Sequence, residues 1–167
     1  SSLCAATRAQ AQTCSFGFTD VDFGAVDVTT GAAYDTTGTF SASCTGNPGQ
    51  TVRVCPHLGE GSGGAGTNGS TRTMTKGGDG LVYNLFSNAA RTQIWGSDLV
   101  GWAGVSPPQI DIVLSGGGSG SANVPVYGRV SGGQATAAVG QYASSVGAGG
   151  ARVRYAYAGS DDCTTLA

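Results

Sequence analysis

One lysine, Lys76, and one glutamate, Glu60, are all that a chain of 167 residues offers in the vocabulary of soluble helices. A surface helix carries Glu and Lys on its wet face, because both are good helix formers and pair at i,i+4. Here Thr, Val, Tyr and Phe recur in short runs separated by Gly, Asn, Asp and Pro, which is strand-and-turn chemistry. Glycine alone contributes 30 residues, and charged residues make up only 11%. The chain is therefore expected to be all-β, and its length allows one domain with a proper hydrophobic core.

The net charge of −2 comes with no basic cluster, so neither nucleic acid nor an anionic membrane is an expected partner. No apolar run approaches the ~18 residues of a membrane span. No signal peptide is visible, and if one existed this is the mature chain; Ser1-Ser2-Leu3-Cys4 reads neither as a remnant hydrophobic region nor as a lipidation site. Five cysteines, Cys4, Cys14, Cys44, Cys55 and Cys163, contain no CxxC pair and share the chain with one histidine. That spacing argues for disulfides and an oxidising compartment rather than for a metal site.

Period-2 alternation marks seven strand candidates. They are Phe16 to Phe23 (bent around Gly17 and Gly24), Phe40 to Cys44, Thr51 to Val54, Leu81 to Phe86, Ile110 to Leu114, Val124 to Val130 and Arg152 to Tyr157. In the last, Val153, Tyr155 and Tyr157 share one face and both arginines the other. Seven runs at this spacing predict an immunoglobulin-like β-sandwich of about seven strands. Asn68-Gly69 and Asp79-Gly80 are tight-turn pairs, and the glycine-rich stretches 59–69 and 116–120 read as flexible surface loops. Pro125 places its strand at an edge or a bulge. No repeat or linker divides the chain, so residues 14–167 form the domain and 1–13 an N-terminal segment. Cys14 and Cys44 fall at strand ends; a bridge between them closes a loop worth roughly 3–4 kcal/mol in the chain-entropy model. Cys55 is then assigned to Cys163, with Cys4 as the alternative partner.

Chemistry-bearing motifs are weak. Gly59-Glu60-Gly61-Ser62-Gly63-Gly64 matches GxGxxG, but it runs on into Gly, Thr, Asn and Ser rather than into the helix that would hold a pyrophosphate. Cys55 and His57 share a face of an extended chain without a third group to orient the imidazole; a surface or half-buried histidine is the expectation. Asp20, Asp22, Asp27, Asp161 and Asp162 lack the glycine and terminal glutamate of an EF-hand loop and read as turn residues. No catalytic residue, metal ligand or cofactor is assigned, and the chain reads as non-enzymatic.

Several segments resemble the spore coat U domain of archaic chaperone–usher pilins. Cys14 precedes Val21-Asp22-Phe23-Gly24, and Thr37 to Cys44 reads TGTFSASC. Arg72-Thr73-Met74 precedes Leu81-Val82-Tyr83-Asn84-Leu85-Phe86, then Ala90-Arg91-Thr92 and Ile94-Trp95-Gly96. Val126-Tyr127-Gly128-Arg129-Val130 and Gly140-Gln141-Tyr142 complete the set, which spans about residues 14 to 158. The resemblance implies an incomplete sandwich, secreted through the periplasm to a cell-surface pilus. A strand from a periplasmic chaperone, and after passage through the usher a strand from a neighbouring subunit, would complete it. Residues 1–13 depart from a shaft subunit, having Leu3 as their one bulky apolar residue; alanine methyls would fill a groove poorly. Cys4, Cys55 and Cys163 are also additional to the family pair. Both departures resemble the distal domain of a tip adhesin, which mediates attachment and biofilm formation.

Two readings compete with the tip adhesin: a shaft or coat building block assembled by donor-strand complementation, and a carbohydrate-binding sandwich module. For adhesion to an abiotic or host surface, the apolar loop between Ile94-Trp95 and Ile110 is the candidate, through Leu99, Val100, Trp102 and Val105. Loops over a surface are ordinarily polar. Either Trp102 folds back and caps the sandwich, or these side chains project as an apolar finger.

Overall fold

Alternation of apolar and polar side chains along eight strands builds the molecule, described by a computed structural model over residues 11–19, 21–66, 69–102, 104–145 and 150–167. Expectations resting on Cys4, Asp20, Asn68 and most of the N-terminal segment lie outside these residues. The strands are β1 (Thr13–Phe18), β2 (Tyr34–Thr45), β3 (Thr51–Leu58), β4 (Arg72–Lys76), β5 (Asp79–Phe86), β6 (Ile110–Val113), β7 (Ser119–Val130) and β8 (Ala151–Tyr157). One sheet has the order β1-β2-β7-β5-β4 and the other β6-β3-β8, and every pairing between these strands is antiparallel. The only helix among the described residues is a 3-10 turn, Val28–Thr30, capped by the Asp27 carboxylate.

The core lies between the sheets. Phe40, Ala42 and Cys44 of β2 face Val52 and Val54 of β3, with Leu81, Tyr83 and Leu85 of β5 and Val126 and Val130 of β7 around them. Their alternate neighbours point outward: Ser41, Ser43 and Thr45 on β2, Arg53 on β3, Asp111 on β6. Trp95 is completely buried, and its indole N–H donates to the Pro56 carbonyl at 2.8 Å, satisfying the ring's only polar atom. Two cross-strand charge pairs decorate the outer faces. Arg53 forks onto Asp111 at 2.9 and 3.0 Å, and Arg129 onto Asp35 at 2.7 and 2.8 Å.

Several sequence expectations are corrected. The first strand ends at Phe18; beyond it the chain lays Val21 and Phe23 over Gly128, where a Cβ would meet both side chains, and Phe23 meets Tyr83 edge-on at 6.0 Å. An eighth strand, β4, escaped notice because Arg72 occupies a buried position where alternation with Met74 asks for an apolar residue. The β4–β5 turn is Gly77-Gly78, with Lys76 opposite Asp79, so Asp79-Gly80 belongs to the strand; Gly77 takes the left-handed φ of 58° that the turn requires. The 59–69 stretch is not free: Ala65 bridges to Arg72, Thr73 N–H donates to the Gly64 carbonyl at 2.9 Å, and Ser62 N–H to that of Ser145 at 2.9 Å. The 116–120 stretch is a tight turn, with Ser115 N–H on the Ser119 carbonyl at 2.8 Å, and β7 begins within it. β7 itself is central rather than an edge. Its β5 pairing stops at Tyr127, however, so at Pro125 that flank has no ladder bond to lose.

Candidate functional site

Each sheet ends in strands with a free edge, and free edges of an antiparallel sheet are where another chain can add. The β4 edge is covered by the bridges Ala65 to Arg72 and Thr75 to Ala143, and β6 is only four residues long. β1 and β8 remain. Among the described residues β1 pairs only with β2 and β8 only with β3, and the two meet through Phe16, whose ring lies 5.6 Å from Tyr155 and 5.9 Å from Phe40. No residue of β8 is fully buried, although Val153, Tyr155 and Tyr157 pack against the core. Cys14 and Phe16 on β1 are likewise half-buried. Among the described residues, the β1–β8 seam thus brings half-buried core side chains next to strands paired on one side.

The disulfides hold the two flanks of this arrangement. Cys14 and Cys44 are directly opposite in the β1–β2 register and are bonded to each other. Cys55 and Cys163 form the second bridge, across 108 residues of chain. Cys55 points away from the main core, so this bridge pulls the C-terminal turn over the outer face of β3 and β8, where Cys163 and Leu166 form a small cluster with Cys55 and Ala156. Cys55 is therefore spent on this bridge and supplies no thiolate to His57.

That covering turn and the loop from Gly96 to Pro108 enclose a second feature. The loop closes on itself through Gly96 N–H and the Ser106 carbonyl at 3.1 Å, an approach so close that a Cβ on Gly96 would strike the Val105 carbonyl. Asp98 N–H donates to His57 Nδ1 at 3.0 Å, while its carboxylate lies 3.1 Å from the same nitrogen and 2.6 Å from Arg154, with Arg152 at 3.7 Å. His57 is 2% exposed, rather than at the surface or half-buried as the sequence suggested, because the C-terminal turn covers its face of β3. Burial pushes its pKa below the ordinary 6.5; Asp98 pulls it up, and Arg154 and Arg152 push it down further. The neutral form of the ring is thereby favoured.

Leu99, Val100, Trp102 and Val105 are each half-buried. The Trp102 ring lies under the Arg72 guanidinium, 4.8 Å from centroid to carbon, so the indole is folded back onto the domain. Val100, Trp102 and Val105 line a cleft of about 570 Å³ together with His57, Asp98, Arg154 and the C-terminal turn. Arg72 is the residue that sequence reasoning missed. It is fully buried with no carboxylate partner among the described residues, donating to the carbonyls of Gly59, Leu58 and Trp95 and to Asn84 Oδ1 at 2.6–2.8 Å, and burial lowers its pKa to about 10. The one signal was its place beside Met74 in a strand-like triplet.

A similar fold occurs in a chain of the CsuC–CsuE chaperone–tip adhesion subunit pre-assembly complex, from archaic chaperone–usher Csu pili of Acinetobacter baumannii. The TM-score is 0.52 at 17% identity, over 86% of this chain and 39% of that one. The present chain thus spans well under half of the matched chain. No curated protein matches the sequence. The Spore Coat Protein U domain model matches residues 1–149, and the chain, an all-β sandwich with two disulfides, belongs to that family.

Proposed function

We propose that this chain is a subunit of an archaic chaperone–usher pilus, of the tip or tip-like adhesin type, reaching the cell surface through the periplasm. The observation that carries the assembly part is the β1–β8 seam. Two strands, each paired on one side only among the described residues, flank half-covered core residues Phe16, Val153 and Tyr155. An extended apolar segment laid there would pair with the β8 backbone and bury those side chains, which is strand addition. A periplasmic chaperone and then a neighbouring subunit are the proposed donors. Residues 14–167 are proposed as the domain and 1–13 as its N-terminal segment, although β1 already takes in Thr13.

The adhesin part rests on the 96–108 loop, in which Leu99, Val100, Trp102 and Val105 are only half-buried. Replacing Leu99, Val100 and Trp102 together with Ser tests it. The expected result is lost attachment of piliated cells to surfaces with pilus assembly and the Cys14–Cys44 bridge intact. Unchanged attachment by a well-folded triple variant refutes the adhesin role. Failure of a chaperone-bound form to accumulate when Tyr155 is replaced by Lys is the matching test of the seam.

A further inference from the structure

His57 Nδ1 has two neighbours, both from Asp98, that it cannot satisfy at once. Asp98 N–H donates to it at 3.0 Å, which needs a lone pair on the ring nitrogen. Asp98 Oδ1 lies 3.1 Å from the same nitrogen and can be bonded only when that nitrogen carries a proton. The neutral ring with its lone pair at Nδ1 makes the first contact; a protonated ring would put a hydrogen where the amide hydrogen now points. The bond to Oδ1 therefore requires the Asp98 amide to withdraw from β3. The carboxylate is already set for that exchange. Its Oδ2 is held by Arg154 at 2.6 Å, with Arg152 at 3.7 Å, so Oδ1 is the oxygen left for the ring.

The charged groups acting on the ring are few. Asp98 of the loop favours its protonated form, and Arg154 and Arg152 of β8, the latter its cross-strand partner, oppose it. The C-terminal turn brings Cys163, spent in its disulfide, with Thr164, Thr165 and Leu166, none of which titrates here. His57 is also the chain's single histidine, so no other side chain is expected to change charge between about pH 7.5 and about pH 5. The loop is built to give beyond Asp98 and not before it. Its base is closed by Gly96 N–H on the Ser106 carbonyl, and Ser97 is buried. Gly101 and Gly104 stand in open space, Gly104 at a left-handed φ of 73°. We propose that protonation of His57 is an acid switch for the 96–108 loop. The ring exchanges the Asp98 amide for the Asp98 carboxylate, and Leu99 and Val100, next in the chain, lift away from β3. The inference deepens the adhesin reading of the same loop and rests on it, since it names the condition that turns the attachment face outward.

Nuclear magnetic resonance of the isotopically labelled full chain, titrated from about pH 7.5 to about pH 5, tests it. The ring nitrogens of His57 should show the proton on Nε2 at the upper pH and protonation with a midpoint below 6.5. At that same midpoint the Asp98 amide should lose its protection from exchange and the Trp102 indole signal should move. The Trp95 indole N–H, bonded to the Pro56 carbonyl, should stay protected throughout, which separates a loop movement from unfolding. His57→Gln should abolish the transition. Asp98→Asn keeps the amide and removes the charge, so its midpoint should fall to lower pH, and it serves as the second variant should His57→Gln fail to fold. A neutral ring with its proton on Nδ1, a protonated ring with the Asp98 amide still protected, or no titration before Trp95 loses protection overturns the proposal. Attachment of piliated cells is a separate measurement, expected to be stronger at about pH 5 than at about pH 7.5. Equal attachment with the spectral transition intact would refute the adhesin role and leave the switch standing.

Discussion

Removing the Arg72 guanidinium should cost the domain a large part of its stability. The side chain makes four hydrogen bonds, to the Gly59, Leu58 and Trp95 carbonyls and to Asn84 Oδ1, at a site with no access to solvent. Charge-assisted bonds contribute roughly 1.5–3 kcal/mol each. Against them stands the cost of burying one ion with no counter-charge, several kcal/mol after relaxation. Arg72→Met returns that cost but strands three carbonyls and an amide oxygen, leaving a net loss of about 3–5 kcal/mol. Small domains have only about 5–15 kcal/mol in total. Urea unfolding of variant and parent, read by the Trp95 and Trp102 emission, measures the difference directly. Trp102 also loses the cation above its ring, so the native emission should shift even before unfolding. Arg72→Lys should restore little, because a single ammonium cannot reach four acceptors in different directions. A loss below about 1 kcal/mol for Arg72→Met would refute the argument that Arg72 ties the loop, β3 and β5 together.

Other consequences can be measured on the same protein. Replacing Cys55 and Cys163 by Ala opens a loop of 108 residues, worth about 4.7 kcal/mol in the chain-entropy model; hydrogen exchange should then rise in β3 and β8 before it rises in β2. The folded state lowers the pKa of His57 below 6.5, so the unfolded ring takes up a proton more readily. Its contribution to stability is thus complete above about pH 6.5 and falls as the pH drops through that value, and urea midpoints of His57→Gln should lack that slope. Asp35 and Asp111 are held below the ordinary 3.8 by hydrogen bonds from Arg129 and Arg53, so a separate loss should begin only as the pH falls below about 3.8 and disappear in Arg53→Gln for the Asp111 part.

How much was legible in the sequence depends on the range of the forces involved. Fold class was written locally. The scarcity of Lys and Glu removes helices, and two-residue alternation in Phe40-Ser41-Ala42-Ser43-Cys44 or Ile110-Asp111-Ile112 orients each strand without reference to any other. The pairing of Cys14 with Cys44 was within reach for the same reason, since both mark the ends of locally readable strands. The strand β4 was not, because Arg72 is a charge in a buried position and becomes tolerable only when carbonyls from β3 and the Trp95 segment converge on it.

The candidate sites were decided by tertiary structure. Nothing local in Cys55-Pro56-His57 says that a turn over 100 residues later will cover that face, yet the covering is what buries His57, lowers its pKa and uses up Cys55. The apolar residues at 99–105 announced an unusual loop, but only the position of Arg72 determines that Trp102 lies back against the domain. The exposed edges of β1 and β8 likewise have no local signature, because a strand's sequence specifies which face is wet and not whether a neighbour stands beside it. Hydrophobic alternation acts between adjacent residues, whereas burial of a charge, a histidine or a strand edge depends on what the rest of the chain brings there.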